Sequence, residues 1–456
     1  MPPTSLLIQN GQLVTEKGLE CVNILIEAGL VTSIKPANEQ TSKPRSAETI
    51  DAANLLIFPG LIDCHVHFRE PGNTEAEDMA SGALAARSGG VTTVCEMPNT
   101  SPPTCTIDAL QDKRERSKRV KDCDIRFFFG VTKREHLEEV KKVKREDICG
   151  VKLYLGHSTG NQKVEGGVEE EVFKICAERG LPLVCHCEDE EIIQKNLEMN
   201  RRGGSRTAPT DVSIHSVIRS VEAAVASTTY AIGLAKKYGT HLHIAHLSTK
   251  EELDLVRRAK SDGLSVTCEV APHHLFLSVE DYKTLGTLAK MNPPLRDRAH
   301  GGALWGGILD GTVDCIGSDH APHTLSAKNV KNPLEAPSGV PGVETILPLL
   351  LSCLSGGPKD ASSKDRLVGV HASTGLSMTP VPLQPHQIFR LLFQAPNEIF
   401  SLGKPGIKAG KPVDLTLVNP LAKWKIEGKK LHSKCGWTPY EGWEVTGKIE
   451  KVIRSS

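Results

Sequence analysis

Several histidines and one aspartate along this chain are residues of the kinds that bind metal ions. His65 and His67 stand two positions apart, and His186 and His246 each end a short apolar run. Residues two apart in an extended strand point to the same side, so the imidazoles of His65 and His67 can reach one ion. Each histidine alone is more commonly structural, but together with Asp319 they indicate a metal site.

Lys152 stands inside the apolar stretch 150–155. One interpretation is that its aliphatic stem extends outward and carries the ammonium group to water. The other is that the amine is buried and neutral, because burial lowers the pKa of a lysine. A neutral amine can react with carbon dioxide and form a carbamate whose two oxygens bridge two metal ions. The residues themselves leave both interpretations open.

Asp319 lies in the segment Gly317 to His323. A carboxylate here can bind one ion and also accept a proton from metal-bound water, so Asp319 is predicted to be catalytic as well as a ligand. The alternative is that it caps the next helix. The neighbouring Pro322 and His323 argue against a plain cap.

The elements that must position these side chains follow a repeating pattern. Eight apolar runs are separated by charge-rich, helix-like segments, which predicts parallel strands with crossover helices in an α/β protein. The runs are 61–65, 91–97, 125–131, 151–155, 181–185, 242–246, 264–270 and 313–319. Eight such units are the number in a (β/α)8 TIM-like barrel, and barrel enzymes place their sites at the carboxyl ends of the strands. The candidate ligands fall on runs one, four, five, six and eight.

The two ends of the chain share a different pattern. Residues 1–56 alternate short apolar runs with polar breaks, as antiparallel hairpins do, and a similar pattern returns after residue 413. We expect the ends to meet in one small β-sandwich domain made of residues 1–56 and 401–456. Residues 57–400 then form the barrel, in which 355–382 is predicted to be a long surface loop.

Composition narrows the class of partner. The 55 basic residues balance 55 acidic ones, which argues against nucleic acid or an anionic membrane and favours a small-molecule substrate. The 13 cysteines are an odd number, and no basic segment followed by an apolar run opens the sequence. A reducing, cytoplasmic location is therefore expected.

The segment Pro59 to Gly72, which contains His65 and His67, closely resembles the signature of the dihydroorotases in the amidohydrolase superfamily of cyclic amidohydrolases. Four later segments also resemble that family and follow in its order. They are Met97 to Thr100, Glu269 to His274, Met291 to Arg296, and Gly317 to His323. The resemblance extends over nearly the whole chain.

This resemblance implies an enzyme that hydrolyses carbon–nitrogen bonds of cyclic amides. The implied reaction is the reversible zinc-dependent closure of N-carbamoyl-L-aspartate to L-dihydroorotate and water, the third step of de novo pyrimidine (UMP) biosynthesis. It implies two Zn²⁺ per subunit, bridged by a hydroxide and by N6-carboxylysine at Lys152. One ion would be held by His65, His67 and Asp319, and the other by His186 and His246. A homodimer is also implied.

The substrate carries a carboxylate, and Arg69 offers a planar fork suited to it. We place Arg69 on the same strand face as His67, which argues against a surface salt bridge. The resemblance adds Asn99 and His323 beside the carboxylate. It also directs Asn292 and the backbone of Pro337, Ser338 and Gly339 to the ring amide.

Two other functions compete with this one. Hydantoinases and allantoinases open related rings, but allantoinases typically carry asparagine where Arg69 stands. Dihydropyrimidinase-like scaffold proteins keep the barrel and lose metal ligands, whereas the expected ligands are all present here. The loop 156–161 varies among dihydroorotases, and whether Ser158 and Thr159 close over the substrate is left open.

Overall fold

The computed structural model describes residues 5–157, 163–202, 211–354 and 383–455. Ser158, Thr159 and the predicted loop 355–382 lie outside the described residues. The described part has fifteen strands: β1 Ser5–Thr15, β2 Gly18–Glu27, β3 Leu30–Pro36, β4 Glu48–Asp51, β5 Leu56–Pro59, β6 Leu61–Val66, β7 Val91–Glu96, β8 Asp124–Val131, β9 Gly150–Tyr154, β10 Leu183–His186, β11 Leu242–Ile244, β12 Val266–Val270, β13 Cys315–Ile316, β14 Leu415–Lys425 and β15 Glu444–Ile453.

The same residues form fifteen α-helices: α1 Met79–Ser88, α2 Ile107–Ser117, α3 His136–Lys142, α4 Glu169–Arg179, α5 Glu190–Arg202, α6 Ile214–Ile218, α7 Val221–Tyr238, α8 Lys250–Ser261, α9 Pro272–Phe276, α10 Tyr282–Leu285, α11 Arg298–Asp310, α12 Leu325–Lys328, α13 Ile346–Leu351, α14 Pro385–Phe389 and α15 Ala395–Ile399. A π-helical turn, Arg390–Gln394, joins α14 to α15. In the described part of the chain, no helix combines the length and apolarity needed to span a membrane.

Strands β6 to β13 form one eight-stranded sheet in chain order, and every neighbouring pair is parallel. A parallel bridge between Val66 and His320 joins its two edges. Asp63 reinforces the junction, because its carboxylate accepts a hydrogen bond from the Ser318 amide at 2.9 Å. The predicted (β/α)8 barrel is confirmed.

The last barrel strands are shorter than the apolar runs suggest. Only Cys315–Ile316 pairs in the eighth strand, and β11 ends at Ile244, two residues before His246. The backbone of His246 and Asp319 has φ values of 35° and 46°, a left-handed conformation that cannot continue a strand. These two side chains therefore enter the barrel mouth from irregular backbone.

The helices cover the barrel through apolar faces. In α8, for example, Leu253, Val256 and Ala259 are buried at helical spacing. The helix begins at a capping box, in which the Thr249 hydroxyl accepts a hydrogen bond from the Glu252 amide at 3.1 Å.

The two ends of the chain build a separate seven-stranded sheet, in the order β15-β14-β5-β1-β2-β3, with β4 paired to β1. A bridge between Leu30 and Pro412 brings the β3 edge against the segment before β14, so the sheet curls over its own apolar cluster. The prediction that the ends meet in one small β domain is confirmed. The boundaries at residues 56 and 400 stay a prediction.

Strand β5 links this sheet to the barrel. Ile57 packs inside the curled sheet, whereas Leu56 and Phe58 belong to the core of the barrel. Alternate residues of a strand point to opposite faces, so four residues can contribute to both cores.

Candidate active site

One group of ligands gathers where β6 meets β13. The Nε2 atoms of His65 and His67 lie 3.5 and 3.1 Å from Oδ1 of Asp319. All three side chains are buried. Burial raises the pKa of Asp319, but the neighbouring His65 and His67 outweigh it and hold the pKa well below its usual value. Asp319 is therefore ionised, as a metal ligand must be, and it does not cap a helix, since α12 is capped by Thr324.

A second group stands beside the first. Nδ1 of His186 lies 3.1 Å from Nε2 of His246, and the His65 and His246 ring centroids are 5.2 Å apart. Burial, together with the charge of His186, holds the pKa of His246 well below its usual value. His246 is therefore a neutral imidazole, which is the form that binds metal ions.

Lys152 is fully buried, and its Nζ atom has no hydrogen-bond partner within the described ranges. The interpretation in which its stem reaches water is wrong. Burial lowers the Lys152 pKa, and the charges of Glu269 and Asp319 only partly offset this. A charged Lys152 would in turn lower the pKa values of His186 and His246, and Asp319 raises the pKa of Lys152, so the amine lies near members of both ligand groups. A buried, partnerless amine at this position fits the carbamate interpretation.

The outward ring nitrogens of three histidines have their own partners. Nδ1 of His65 contacts Glu269, Nδ1 of His67 lies 2.6 Å from Oδ1 of Asn99, and Nε2 of His186 lies 2.9 Å from Glu188. In each contact the protonated ring nitrogen donates to the partner oxygen. The other ring nitrogen, which can bind a metal ion, then faces the cluster of candidate ligands.

Glu188 and Glu269 were missed by the sequence analysis. Their signal is present in retrospect, because Glu188 follows His186 by two residues and Glu269 is the one charged residue of barrel strand β12. Arg219 holds Glu188 through Nε at 3.0 Å, so this outer partner is itself positioned.

The donors fit divalent metal ions of the zinc type. Imidazole nitrogens and a carboxylate are ligands that zinc takes in catalytic sites. The facing nitrogens of His186 and His246 lie 3.1 Å apart, and among the described residues the Lys152 amine has no hydrogen-bond partner. The chemistry that this arrangement supports is metal-assisted attack on a polarised carbonyl.

The cleft beside this cluster contains part of the predicted substrate site. It is lined by His65, His67, Arg69, Asn99, Tyr154, His186, His246, Asn292, Asp319, Ala321, Ser338 and Gly339. Pro337 and His323 are outside this lining. The Pro337 carbonyl accepts a hydrogen bond from Lys328 at 2.9 Å, and His323 contacts Arg69, with Nε2 3.1 Å from Nη2.

Arg69 is a buried cation with no carboxylate within ion-pair distance among the residues described. Its Nε atom donates to the Pro322 carbonyl at 3.1 Å. The expectation that it shares a strand face with His67 is wrong, because β6 ends at Val66 and Arg69 has φ 60°. This left-handed backbone, as at His246 and Asp319, is typical of functional sites.

Comparison with known proteins places the chain in a family. The model of the amidohydrolase family matches residues 56–456. The dihydroorotase of Halobacterium salinarum is 36% identical over 395 residues, 86% of this chain and 84% of that protein. The dihydroorotase of Methanosarcina mazei is 34% identical over 447 residues, 95% of this chain and 90% of that protein.

A solved structure shows the same likeness in three dimensions. The L-hydantoinase (dihydropyrimidinase) from Arthrobacter aurescens matches with a TM-score of 0.87 at 25% identity, over 99% of this chain and 95% of that chain. The chain belongs to the amidohydrolase family, and within that family to the dihydroorotases.

Proposed function

We propose that this enzyme interconverts N-carbamoyl-L-aspartate and L-dihydroorotate in pyrimidine biosynthesis, using two zinc ions. The relatives named dihydroorotase support the reaction. The observation that carries it for this chain is Arg69, a buried guanidinium that lines the cleft beside the candidate metal ligands and has no ion-pair partner within the described residues. Burying an unpaired charge is costly, so a site built this way favours a ligand with a carboxylate.

The positions of the two ligand groups suggest which residues would bind each zinc ion. His65, His67 and Asp319 would hold one zinc ion, and His186 and His246 would hold the other. The neutral Lys152 amine would add to carbon dioxide, form an N–C bond and release one proton, which leaves a carbamate oxygen for each ion. When bound, the two ions polarise the amide carbonyl and lower the pKa of water.

Asp319 is the residue proposed to move the proton. In the hydrolytic direction its carboxylate accepts a proton from the attacking water and transfers it to the leaving ring nitrogen. In the synthetic direction it accepts the proton of the closing nitrogen. Asn292 and the backbone of Ser338 and Gly339 line the cleft where they would meet the ring amide.

Carboxylate recognition is tested by Arg69→Gln with two substrates. 5,6-Dihydrouracil has the dihydroorotate ring without the carboxylate. Loss of charge-assisted hydrogen bonds, about 2–3 kcal/mol, predicts a drop of roughly 10²-fold in kcat/KM for L-dihydroorotate. The residual rate with 5,6-dihydrouracil and the zinc content should not change.

Arg126→Gln is the matched control, because Arg126 is half-exposed and pairs with Asp124 at 2.9 Å. It should leave both rates unchanged. An equal loss on both substrates in Arg69→Gln, or loss of zinc, would show that Arg69 does not recognise the carboxylate.

We also propose a cytoplasmic location, because all thirteen cysteines are free and reducing compartments keep thiols in this state. The homodimer stays a prediction, and sedimentation of the purified chain would test it.

A further inference from the structure

A second cluster of possible metal ligands lies on the far side of Glu269 from the candidate active site. Cys64 on β6, Glu269 on β12 and Cys315 on β13 each offer a ligand atom, and these atoms lie within 4.8 Å of one another. His243 on β11 joins them, with Nε2 3.3 Å from Oε2 of Glu269. All four side chains are buried. None of the four is a ligand of the two proposed active-site ions.

The spacing of the donor atoms agrees with a tetrahedral zinc site. Sγ of Cys64 lies 3.7 Å from Sγ of Cys315 and 3.1 Å from Oε2 of Glu269. Zinc bonds of about 2.3 Å to sulfur and about 2.1 Å to nitrogen or oxygen predict separations of about 3.8 Å for two sulfurs and about 3.4 Å for nitrogen and oxygen. The sulfur–sulfur and His243–Glu269 distances agree closely. The sulfur–oxygen distance of 3.1 Å is about 0.5 Å shorter than the ~3.6 Å that the same bond lengths predict, so the Glu269 carboxylate would move slightly when the ion binds.

The second ring nitrogen of His243 has its own partner. Its Nδ1 atom lies 2.9 Å from the Thr267 hydroxyl, and the imidazole also contacts Glu269, through Nε2, and Cys315. A metal-binding imidazole commonly has its second nitrogen held in this way.

The ordinary alternative is that the two thiols pack as small apolar groups. Buried cysteines elsewhere in the barrel match that description better. Cys268, for example, contacts backbone groups, and its thiol donates to the carbonyl of Thr312 at 3.4 Å. Cys64 and Cys315 instead adjoin the paired side chains of Glu269 and His243. Thiolate, imidazole and carboxylate are the three ligand types that zinc takes in proteins.

We propose that Cys64, Cys315, His243 and Glu269 bind a structural zinc ion. Four protein ligands leave no open position, which is the pattern of a structural site. Binding displaces one proton from each thiol, so two protons are released for each ion bound. The ion would tie β6 to β11, β12 and β13 where the barrel closes, and Glu269 would connect it to His65.

Sulfur ligation gives a test that does not depend on which substrate the enzyme opens. The full chain would be purified with zinc under reducing, anaerobic conditions and measured by X-ray absorption at the zinc edge. The proposal predicts sulfur neighbours at about 2.3 Å, which the nitrogen and oxygen ligands of the active site cannot supply. In the cobalt-loaded wild-type protein, it predicts a thiolate-to-cobalt charge-transfer absorption in the near ultraviolet.

Variants then show which cysteines give rise to the sulfur signal. Cys64→Ala and Cys315→Ala should each reduce the sulfur signal and lose one metal ion per chain. Cys268→Ala is the matched control, since it changes a buried cysteine on a neighbouring strand, and it should keep both. If either variant fails to fold, the two wild-type spectra still decide. Only nitrogen and oxygen neighbours in the wild-type protein, or Cys64 and Cys315 recovered as a disulfide, would overturn the proposal.

Discussion

Lys152 illustrates how burial changes the chemistry of a single residue. Its amine is surrounded by the barrel interior, and its Nζ atom lies 5.0 Å from the centroid of the Tyr154 ring. A charged ammonium is unfavourable there, so the pKa falls and the neutral, nucleophilic amine is favoured. This is the form that can be carboxylated.

Lys152→Ala is expected to lose zinc and almost all activity, because the oxygens shared by the two ions disappear. Short carboxylic acids such as acetate should restore part of the activity by taking the place of the carbamate. Zinc analysis and turnover with and without acetate would measure this. Lys236→Ala, at an exposed lysine on α7, is the control. Full activity in Lys152→Ala would disprove the carbamate bridge.

At this scale the sequence predicts the candidate metal ligands well and their supporting residues poorly. His65, His186 and Lys152 stand out because polar residues in apolar barrel strands have few structural uses. Glu188 has only a weaker signal, its place two residues after His186, because its role depends on contacts with His186 and Arg219 that only the fold creates.

At the scale of elements, the loop after α12 forms part of the wall of the substrate cleft. Gly339 has φ 138°, and a Cβ atom there would come within 2.8 Å of the Ala321 Cβ and would also collide with the Ala321 carbonyl oxygen. The loop is held by Lys328, whose Nζ donates to the carbonyls of Pro337 and Gly339 at 2.9 and 3.0 Å.

Gly339→Ala should therefore lower kcat/KM for dihydroorotate by at least tenfold and cost about 1–3 kcal/mol of stability. Steady-state kinetics and denaturant unfolding would measure the two effects. Gly302→Ala is the control, because Gly302 lies in α11 with open space around its Cα, and alanine there should be neutral or slightly stabilising. Wild-type kinetics in Gly339→Ala would contradict the close approach.

Helix α6 carries His215, which contacts the same cleft and makes the free energy of unfolding depend on pH. Nε2 of His215 lies 3.0 Å from the Met291 carbonyl and 2.9 Å from Oδ1 of Asn292. Burial, with the charges of Arg219 and Lys290, lowers the His215 pKa to about 3. An unfolded histidine has a pKa of about 6.5, so between pH 3 and 6.5 the unfolded chain holds the extra proton. The free energy of unfolding therefore falls as the pH is lowered through this range.

His215→Gln removes that proton uptake and keeps a hydrogen-bond donor. The free energy of unfolding of the variant should depend less steeply on pH between 6.5 and 3, by up to about 1.4 kcal/mol per pH unit. Denaturant unfolding at a series of pH values would measure the slope. Parallel slopes for the two proteins would show that His215 is protonated in the folded state.

At the scale of elements, the sequence predicts where the barrel strands lie but not where they end. Apolar runs identify all eight barrel strands, but the run 313–319 pairs only at Cys315–Ile316. Asp319 leaves the strand with φ 46°, and such a conformation has no signature in hydrophobic periodicity.

At the scale of the whole molecule, the two chain ends and the barrel form one connected structure. Alternating apolar residues are sufficient to predict that both ends are strands, because a half-buried sheet requires this pattern. They do not predict pairing, so the parallel neighbours of β1, which are β4 and β5, could not be read from the sequence. Strand order depends on contacts between residues far apart in the chain.

We propose that this amidohydrolase barrel, with two zinc ions, is specialised for a ring that carries a carboxylate. The most direct measurement is kcat/KM of the purified, zinc-loaded enzyme for L-dihydroorotate, hydantoin and allantoin under identical conditions. We predict turnover of L-dihydroorotate at least about 10²-fold more efficient than that of either other ring, because only L-dihydroorotate offers a carboxylate to Arg69. A higher kcat/KM for hydantoin or allantoin would contradict the account.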